Sequence, residues 1–479
     1  MVSRATIKAL VDRTESKYRK CWETLSRLKK PQGTEGADLF EDMLEFQPTL
    51  ARVLYDLSEM HRTLRQEKQS TVAKKGRVSP EWFRRRMRQL DDYQKVLKAT
   101  ISIGKHLGDA FAWLFYGDET EHLREHYRQQ RQLYAPPGIG GLGELKFIEK
   151  ARLVKGHLVL YHNTTTFLTL GDFSLINMED LSLSAVGELK TTQIAEDQLS
   201  INVTTVGWPK EPIIVGVNED KGNADDESVP SPLPQNMRAR LDRQIASIVK
   251  SFDTSEPKRR MDLETNQHKH QLEALVSDLK VSSFTYKKIG DGLLMTGLRT
   301  RKRTLSNKLM ARGTFAWNGK KCGLKEAIQD IVDQESTENE FWHGLYNNPT
   351  SEYRLGPGMV PMFWWPIDLR AVRDIVFYDV ALFSIYNPIH LMHKLRRAGF
   401  DVESLRGQRG LRVKKVVGHK TLAVEDFDYF TTLITGAFFD EESVIECLRS
   451  TSEMAEREAV APYTRIEMQI EEHFGSKLA

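Results

Sequence analysis

Cysteine is scarce in this chain: Cys21, Cys322 and Cys447 are the only three among 479 residues. Far apart and odd in number, they exclude a disulfide framework and a Cys-rich zinc site, and they fit a reducing cytoplasm. No uninterrupted apolar run reaches the roughly 18 residues a spanning helix needs, so no membrane segment is expected. The first residues, MVSRATIKALVDRTESKYRK, lack the apolar core of a secretory signal and read as an amphipathic helix. No G-x-x-x-x-G-K-[ST] string occurs, so nucleotide-driven translocation would need a partner. A strong charge of one sign is lacking as well, with 69 Lys+Arg against 66 Asp+Glu and a net charge of +3. Any polyanion site must therefore come from where the charge sits. What is present, 40% hydrophobic and 28% charged residues, is globular in character, and the length fits two or three domains.

Residues 1–134 carry apolar residues at threes and fours, as in Trp22, Leu25 and Leu28 or Phe111, Leu114 and Phe115, which predicts an all-α N-terminal domain. Breaks fall near Pro31-Gln32-Gly33 and before Ser79-Pro80, where Ser79 reads as an N-cap. Residues 135–256 change texture. A Gly-rich turn feeds a helix from 142 to about 154, followed by strand-like runs at 157–162, 165–176, 181–192 and 199–206 and by a helix over 238–252. That order predicts a compact α/β core. Residues 257–479 mix short strands (374–377) with helices (389–397, 442–449), an α+β accessory domain.

Two strings invite chemistry. Gly138 to Gly143 matches G-x-G-x-x-G, but a basic, helix-like stretch and two prolines precede it where a dinucleotide site needs a strand, so it reads as a flexible turn. The second is Asp172 followed by Glu188-Leu189-Lys190. An acid-x-Lys triplet recurs elsewhere in the chain, as at Glu144-Leu145-Lys146, but only this one closes a strand-like run with an acid-bearing strand just upstream. Residues i and i+2 share a strand face, so Glu188 and Lys190 point together, and a hairpin would bring Asp172 beside Glu188. Two carboxylates offer hard oxygen ligands to Mg²⁺, and a lysine can neutralise charge developing on a phosphate. The same spacing also fits a surface Glu–Lys pair on an edge strand, and spacing alone leaves both open.

Taken together, Gly140-Gly141-Leu142-Gly143-Glu144, Gly171-Asp172, Gly187-Glu188-Leu189-Lys190 and Gln244 on the following helix resemble the PD-(D/E)xK nuclease superfamily. The resemblance covers residues 135–255. It implies a restriction-endonuclease-like mixed sheet flanked by helices, with Asp172 and Glu188 holding Mg²⁺ (Mn²⁺ as a substitute), Lys190 assisting the water, Glu144 holding a water or a second metal, and Gln244 completing the catalytic set. Gly171 stands where the family has Pro, Glu149 competes with Glu144, and an acidic loop at 220–227 delays the helix bearing Gln244.

Charge in the flanks fits a nucleic-acid substrate. Between residues 61 and 90 ten cations, among them Arg84, Arg85, Arg86 and Arg88, face only Glu67 and Glu81; residues 292–325 have no acid and include Arg301, Lys302 and Arg303. These stretches would line a phosphate backbone, or form ordinary solvated faces. Phe363, Trp364 and Trp365 read as core rather than as a stacking platform. The expectation is a cytoplasmic, Mg-dependent DNA endonuclease, DNA ahead of RNA, with the resemblance adding prokaryotic anti-phage defence and a homo-oligomer or a defence-system partner. The alternative is a non-catalytic nucleic-acid-binding or scaffold protein with a degenerate core.

Overall fold

The computed structural model describes residues 1–29, 36–117, 122–123, 126, 134–195, 198–207, 212–218, 243–246, 248, 266–280, 283–300, 304–310, 324–334, 336, 339–346, 359–405, 410–418, 420–424 and 427–457. These fall into two compact units. Met1–Pro257 with Glu352–Trp364 and Phe474–Ala479 forms one, and Lys258–Ser351 with Trp365–His473 forms the other. Both units mix helices with antiparallel sheets.

The spacing of apolar residues in the first unit produces three long helices, α1 (Arg4–Lys29), α2 (Gly36–Ala73) and α3 (Pro80–Tyr116). Ser79 caps α3 by accepting from Trp82 N at 3.3 Å, with Pro80 pre-set for the first turn. Leu25, Leu50, Leu54, Leu57, Leu97 and Phe111 are buried between them, each worth about 1.5–3 kcal/mol by transfer from water. The aromatic stretch joins this core: Phe363 meets Trp22 edge-on at 5.0 Å, and Trp364 donates from Nε1 to Ala110 O at 2.8 Å.

The Gly-rich string is not a flexible turn. It forms the opening turns of α4 (Gly138–Lys150), because a helix there must lie almost on the sheet. A Cβ at Gly143 would sit 2.0 Å from Thr191 Oγ1, so only glycine lets the two backbones approach. The sheet beneath contains β1 (Leu153–Val154), β2 (His157–Tyr161), β3 (Phe173–Asn177), β4 (Leu183–Ala195), β5 (Gln198–Gly207) and β6 (Pro212–Asn218), hydrogen-bonded in chain order. Every described pairing is antiparallel, where the resemblance implies a mixed sheet. The physical reason is the connections: tight returns between β3 and β4 and between β4 and β5 permit only reversal, while a parallel pair needs a long crossover.

The strand expected over 165–176 shrinks to Phe173–Asn177, since side chains rather than a neighbouring strand hold residues 165–170. Asp109 accepts from Thr166 N and Oγ1, and His126 Nδ1 accepts from Thr169 N and Leu170 N at 2.8 and 3.0 Å. One sheet face packs Val159, Tyr161, Phe173, Leu189, Ile201 and Val203 against Leu145, Phe147 and Ile148 of α4 and Ala51 of α2. The opposite face carries Val186 and Val206, covered by Ile245 and Ile248 from the helical residues 243–246 and 248. Helix α2 and the sheet thus share one core.

In the second unit, α5 (Lys269–Asp278) accompanies a four-stranded antiparallel sheet in the order β7-β8-β10-β9. Its strands are β7 (Phe284–Lys288), β8 (Leu293–Arg299), β9 (Trp342–Leu345) and β10 (Val380–Tyr386), with α6 (Leu305–Met310), α7 (Leu324–Gln329) and α8 (Leu369–Val376) in the connections. The strand expected at 374–377 is instead the end of α8, which Asp368 starts by accepting from Arg370 N at 2.7 Å. After α9 (Ile389–Arg397) come a three-stranded sheet of β11 (Asp401–Ser404), β12 (Leu411–Val417) and β13 (Lys420–Val424), then α10 (Asp428–Gly436) and α11 (Glu441–Arg457).

Candidate functional site

Register brings the predicted residues of β3 and β4 together. Phe173 pairs with Gly187, so Asp172 and Glu188 stand opposite each other at the mouth of the β3–β4 hairpin. Asp172 is fixed through its backbone, donating to Gly187 O at 2.8 Å, and through its side chain, whose Oδ2 accepts from Leu189 N at 2.7 Å. Gly171 makes this turn with φ +69°, a conformation closed to proline, whose ring holds φ near −65°. The departure from the family's Pro is therefore built into the backbone here. Lys190 Nζ lies 2.9 Å from Glu188 Oε2.

Glu144 reaches the same neighbourhood from α4. It is buried and accepts from the hydroxyl of Tyr161, itself buried at the end of β2. Asn163 Nδ2 donates to Tyr161 Oη at 3.2 Å, and the buried ammonium of Lys105 on α3 is held by Asn163 O and, at 3.1 Å, by Thr165 O. Electrostatics couple the set. Burial, then the charge of Asp172, pushes the Glu144 carboxyl up to about 8 against the pull of Tyr161, Asn163 and Lys190. Burial, then Asp172 again, pushes Glu188 up to about 8, opposed by Lys190.

The donors are hard oxygens, which suit Mg²⁺, an ion commonly held by one or two carboxylates with waters and phosphates filling its other positions. Among the described residues no three His, Cys, Asp or Glu side chains are gathered as a metal-ligand cluster. What the site offers is the Asp172–Glu188 pair, rather than the three-carboxylate set expected with Glu144. A divalent cation would offset the burial and the Asp172 charge that push Glu188 up.

Gln244 lies on the helical stretch that covers the Val186 and Val206 face, and Glu188 continues that face two residues beyond Val186. The Gln244 Oε1 atom is buried and has no hydrogen-bond partner among the described residues. Glu149, the competitor of Glu144, is tied to Arg52 at 2.7 Å on the surface of α4.

The basic stretches divide. Arg84, Arg85 and Arg88 are exposed on α3, and Lys74, Lys75 and Arg77 of the α2–α3 turn are exposed as well. Arg86 is a correction. It turns inward to Glu67 and donates to Val2 O at 2.9 Å, closing the N-terminus onto α2 and α3. Arg301, Lys302 and Arg303 lie outside the described residues, and of their neighbours Arg299 pairs with Asp374 and Lys308 with Asp379.

Sequence reasoning missed Tyr161, Asn163 and Lys105. Tyr161 reads as one more apolar strand residue and Lys105 as one more helix cation, so neither carries a signal without the fold. No family model matches the chain, and no curated protein or solved structure matches it. No helix among the described residues is long and apolar enough to cross a membrane.

Proposed function

We propose that the chain is a metal-dependent nuclease that hydrolyses phosphodiester bonds, with DNA the first substrate to test. The observation that carries this reading is the convergence of Asp172, Glu188 and Lys190 on adjacent strands, two acids and a lysine around one buried point. Asp172 and Glu188 would hold Mg²⁺ or Mn²⁺. A cation bound there supplies Lewis-acid polarisation of the phosphodiester and acidifies a bound water. Lys190 sits on the Glu188 face of β4, where its ammonium neutralises charge developing on the phosphate. Glu144, anchored by Tyr161, is a proton carrier held at the edge of the site. Arg84, Arg85 and Arg88 give the substrate backbone a salt-sensitive hold. A role in prokaryotic anti-phage defence, with a partner or a second copy, rests on the family resemblance.

One observation favours the alternative of a nucleic-acid-binding protein with a non-catalytic core, namely the Glu188–Lys190 ion pair, which an ordinary strand pair would form as well. The experiment that decides is cleavage of supercoiled, linear and single-stranded DNA and of RNA with Mg²⁺, Mn²⁺ or EDTA, beside Glu188→Ala and Lys190→Ala. Metal-dependent cutting lost in both variants is the expected result. Cutting that survives both removes the site assignment, and binding without cutting by folded protein supports the alternative.

A further inference from the structure

On the face of the sheet that bears Glu188 and Lys190, the next strand carries polar residues in register: Thr204 opposite Glu188 and Asn202 opposite Lys190. Directly opposite residues of an antiparallel pair put their side chains on the same face with Cβ atoms about 5 Å apart. The flanking residues Ile201 and Val203 turn the other way, into the core beneath α4. Asn202 is 5% exposed, and its Nδ2 is buried with no hydrogen-bond partner among the described residues. Across β6 its register partner is Gly216, which has no side chain to satisfy it. A buried amide donor left unmade costs about 1–3 kcal/mol, so a residue serving packing alone would be better apolar at this position. Gln244 Oε1 repeats the pattern, a second buried and unpartnered polar atom on the helical stretch over the same face.

We infer that Asn202 is an anion-binding residue of the site, its carboxamide N–H donating to a non-bridging oxygen of a phosphodiester that lies across β4 and β5 beside Lys190. This deepens the nuclease reading and rests on it for the identity of the ligand. The geometry divides the work. Lys190 brings charge, already shared with Glu188, whereas Asn202 brings a neutral donor that needs no counter-charge and is poised before the substrate arrives.

The test uses the full-length protein and Asn202→Val, a β-branched replacement suited to a strand. With Ca²⁺ in place of Mg²⁺, the affinity for a fluorescein-labelled DNA duplex and for the matching RNA is measured by anisotropy, and thermal unfolding is followed with and without inorganic phosphate. The expected result is a variant that melts at or above the wild-type temperature, binds the oligonucleotide about 10- to 100-fold more weakly, and loses the phosphate-induced rise in melting temperature. A variant that melts several degrees lower shows that Asn202 holds the fold, and one that binds like wild type shows that it touches no phosphate; either overturns the inference. Wild type that ignores oligonucleotides yet is stabilised by phosphate only when Asn202 is present keeps the anion site and removes the nuclease reading. Wild type that responds to neither overturns both.

Discussion

The Tyr161 hydroxyl donates to the carboxylate of Glu144, and this buried bond ties the end of β2 to α4. Behind it, Asn163 donates to the same hydroxyl and Lys105 holds Asn163, so a line of hydrogen bonds runs from α3 to the acid at the edge of the site. Tyr161→Phe keeps the ring in its packing and strips Glu144 of its donor. The expected outcome is a loss of about 1–2 kcal/mol in urea unfolding together with a fall of about tenfold or more in kcat at unchanged KM. A variant with wild-type kcat would remove Glu144 from the chemistry.

Lys105 is 2% exposed, and its ammonium is met by the carbonyls of Asn163 and Thr165. Lys105→Met retains most of the volume and leaves those carbonyls without a donor. Stability should fall by about 2–4 kcal/mol, with faster amide hydrogen exchange in residues 162–170 than in α1. Uniform exchange across the unit would mean that Lys105 does not locally hold this loop.

The raised carboxyls give the metal-free protein a defined pH response. Glu144 and Glu188 both titrate at about 8 when folded, against an ordinary 4.5. The folded state thus holds its protons more tightly than the unfolded state. That contribution is complete below about 4.5 and is lost as pH rises through about 8, at up to roughly 1.4 kcal/mol per pH unit for each group. Melting temperature in EDTA should therefore fall from pH 5 to pH 8 and level off above, and Glu188→Gln should flatten the slope. Mg²⁺ should restore stability most at the alkaline end. A melting temperature that rises over the same window would contradict the protonated pair.

Arg86 and its neighbours separate two uses of one charge run. Arg86→Ala leaves the half-buried Glu67 without its guanidinium and should cost about 2–3 kcal/mol in chemical unfolding. Replacing exposed Arg84, Arg85 and Arg88 together by Ala should leave stability within about 0.5 kcal/mol. The same triple variant should bind DNA with a weaker salt dependence, the log–log slope falling by nearly one unit for each phosphate that the arginines no longer neutralise. An unchanged slope would take the α3 surface out of the substrate path.

Periodicity was enough to read the helices of residues 1–116, the cap at Ser79 and the strands β2, β4 and β5, because burial on one face writes itself into spacing. The pairing of Asp172 with Glu188 was legible for the same reason, since a short return between two strands leaves little freedom of register. The segment 165–172 was not legible. Its Thr- and Leu-rich composition is that of a strand, yet the backbone N–H groups of Thr166, Thr169 and Leu170 go to Asp109 and His126, far away in sequence. Arg86 was misread because a run of arginines hides which one turns inward. Asn202 offered a faint signal, a polar residue inside LSINVTTV, that becomes meaningful only when its register with Lys190 is known.

The sheet β1 to β6 is a meander in which each strand lies beside its chain neighbour, and this bears on how the molecule assembles. Closing each hairpin costs little chain entropy, so the strands can add one after another without waiting for distant segments. Asp172 and Glu188 meet when the β3–β4 hairpin forms. Glu144 and the loop held by Lys105 and Asp109 are brought in only by the docking of α4 and α3. The two acids are therefore set side by side by local chain closure alone, before any long-range contact is needed.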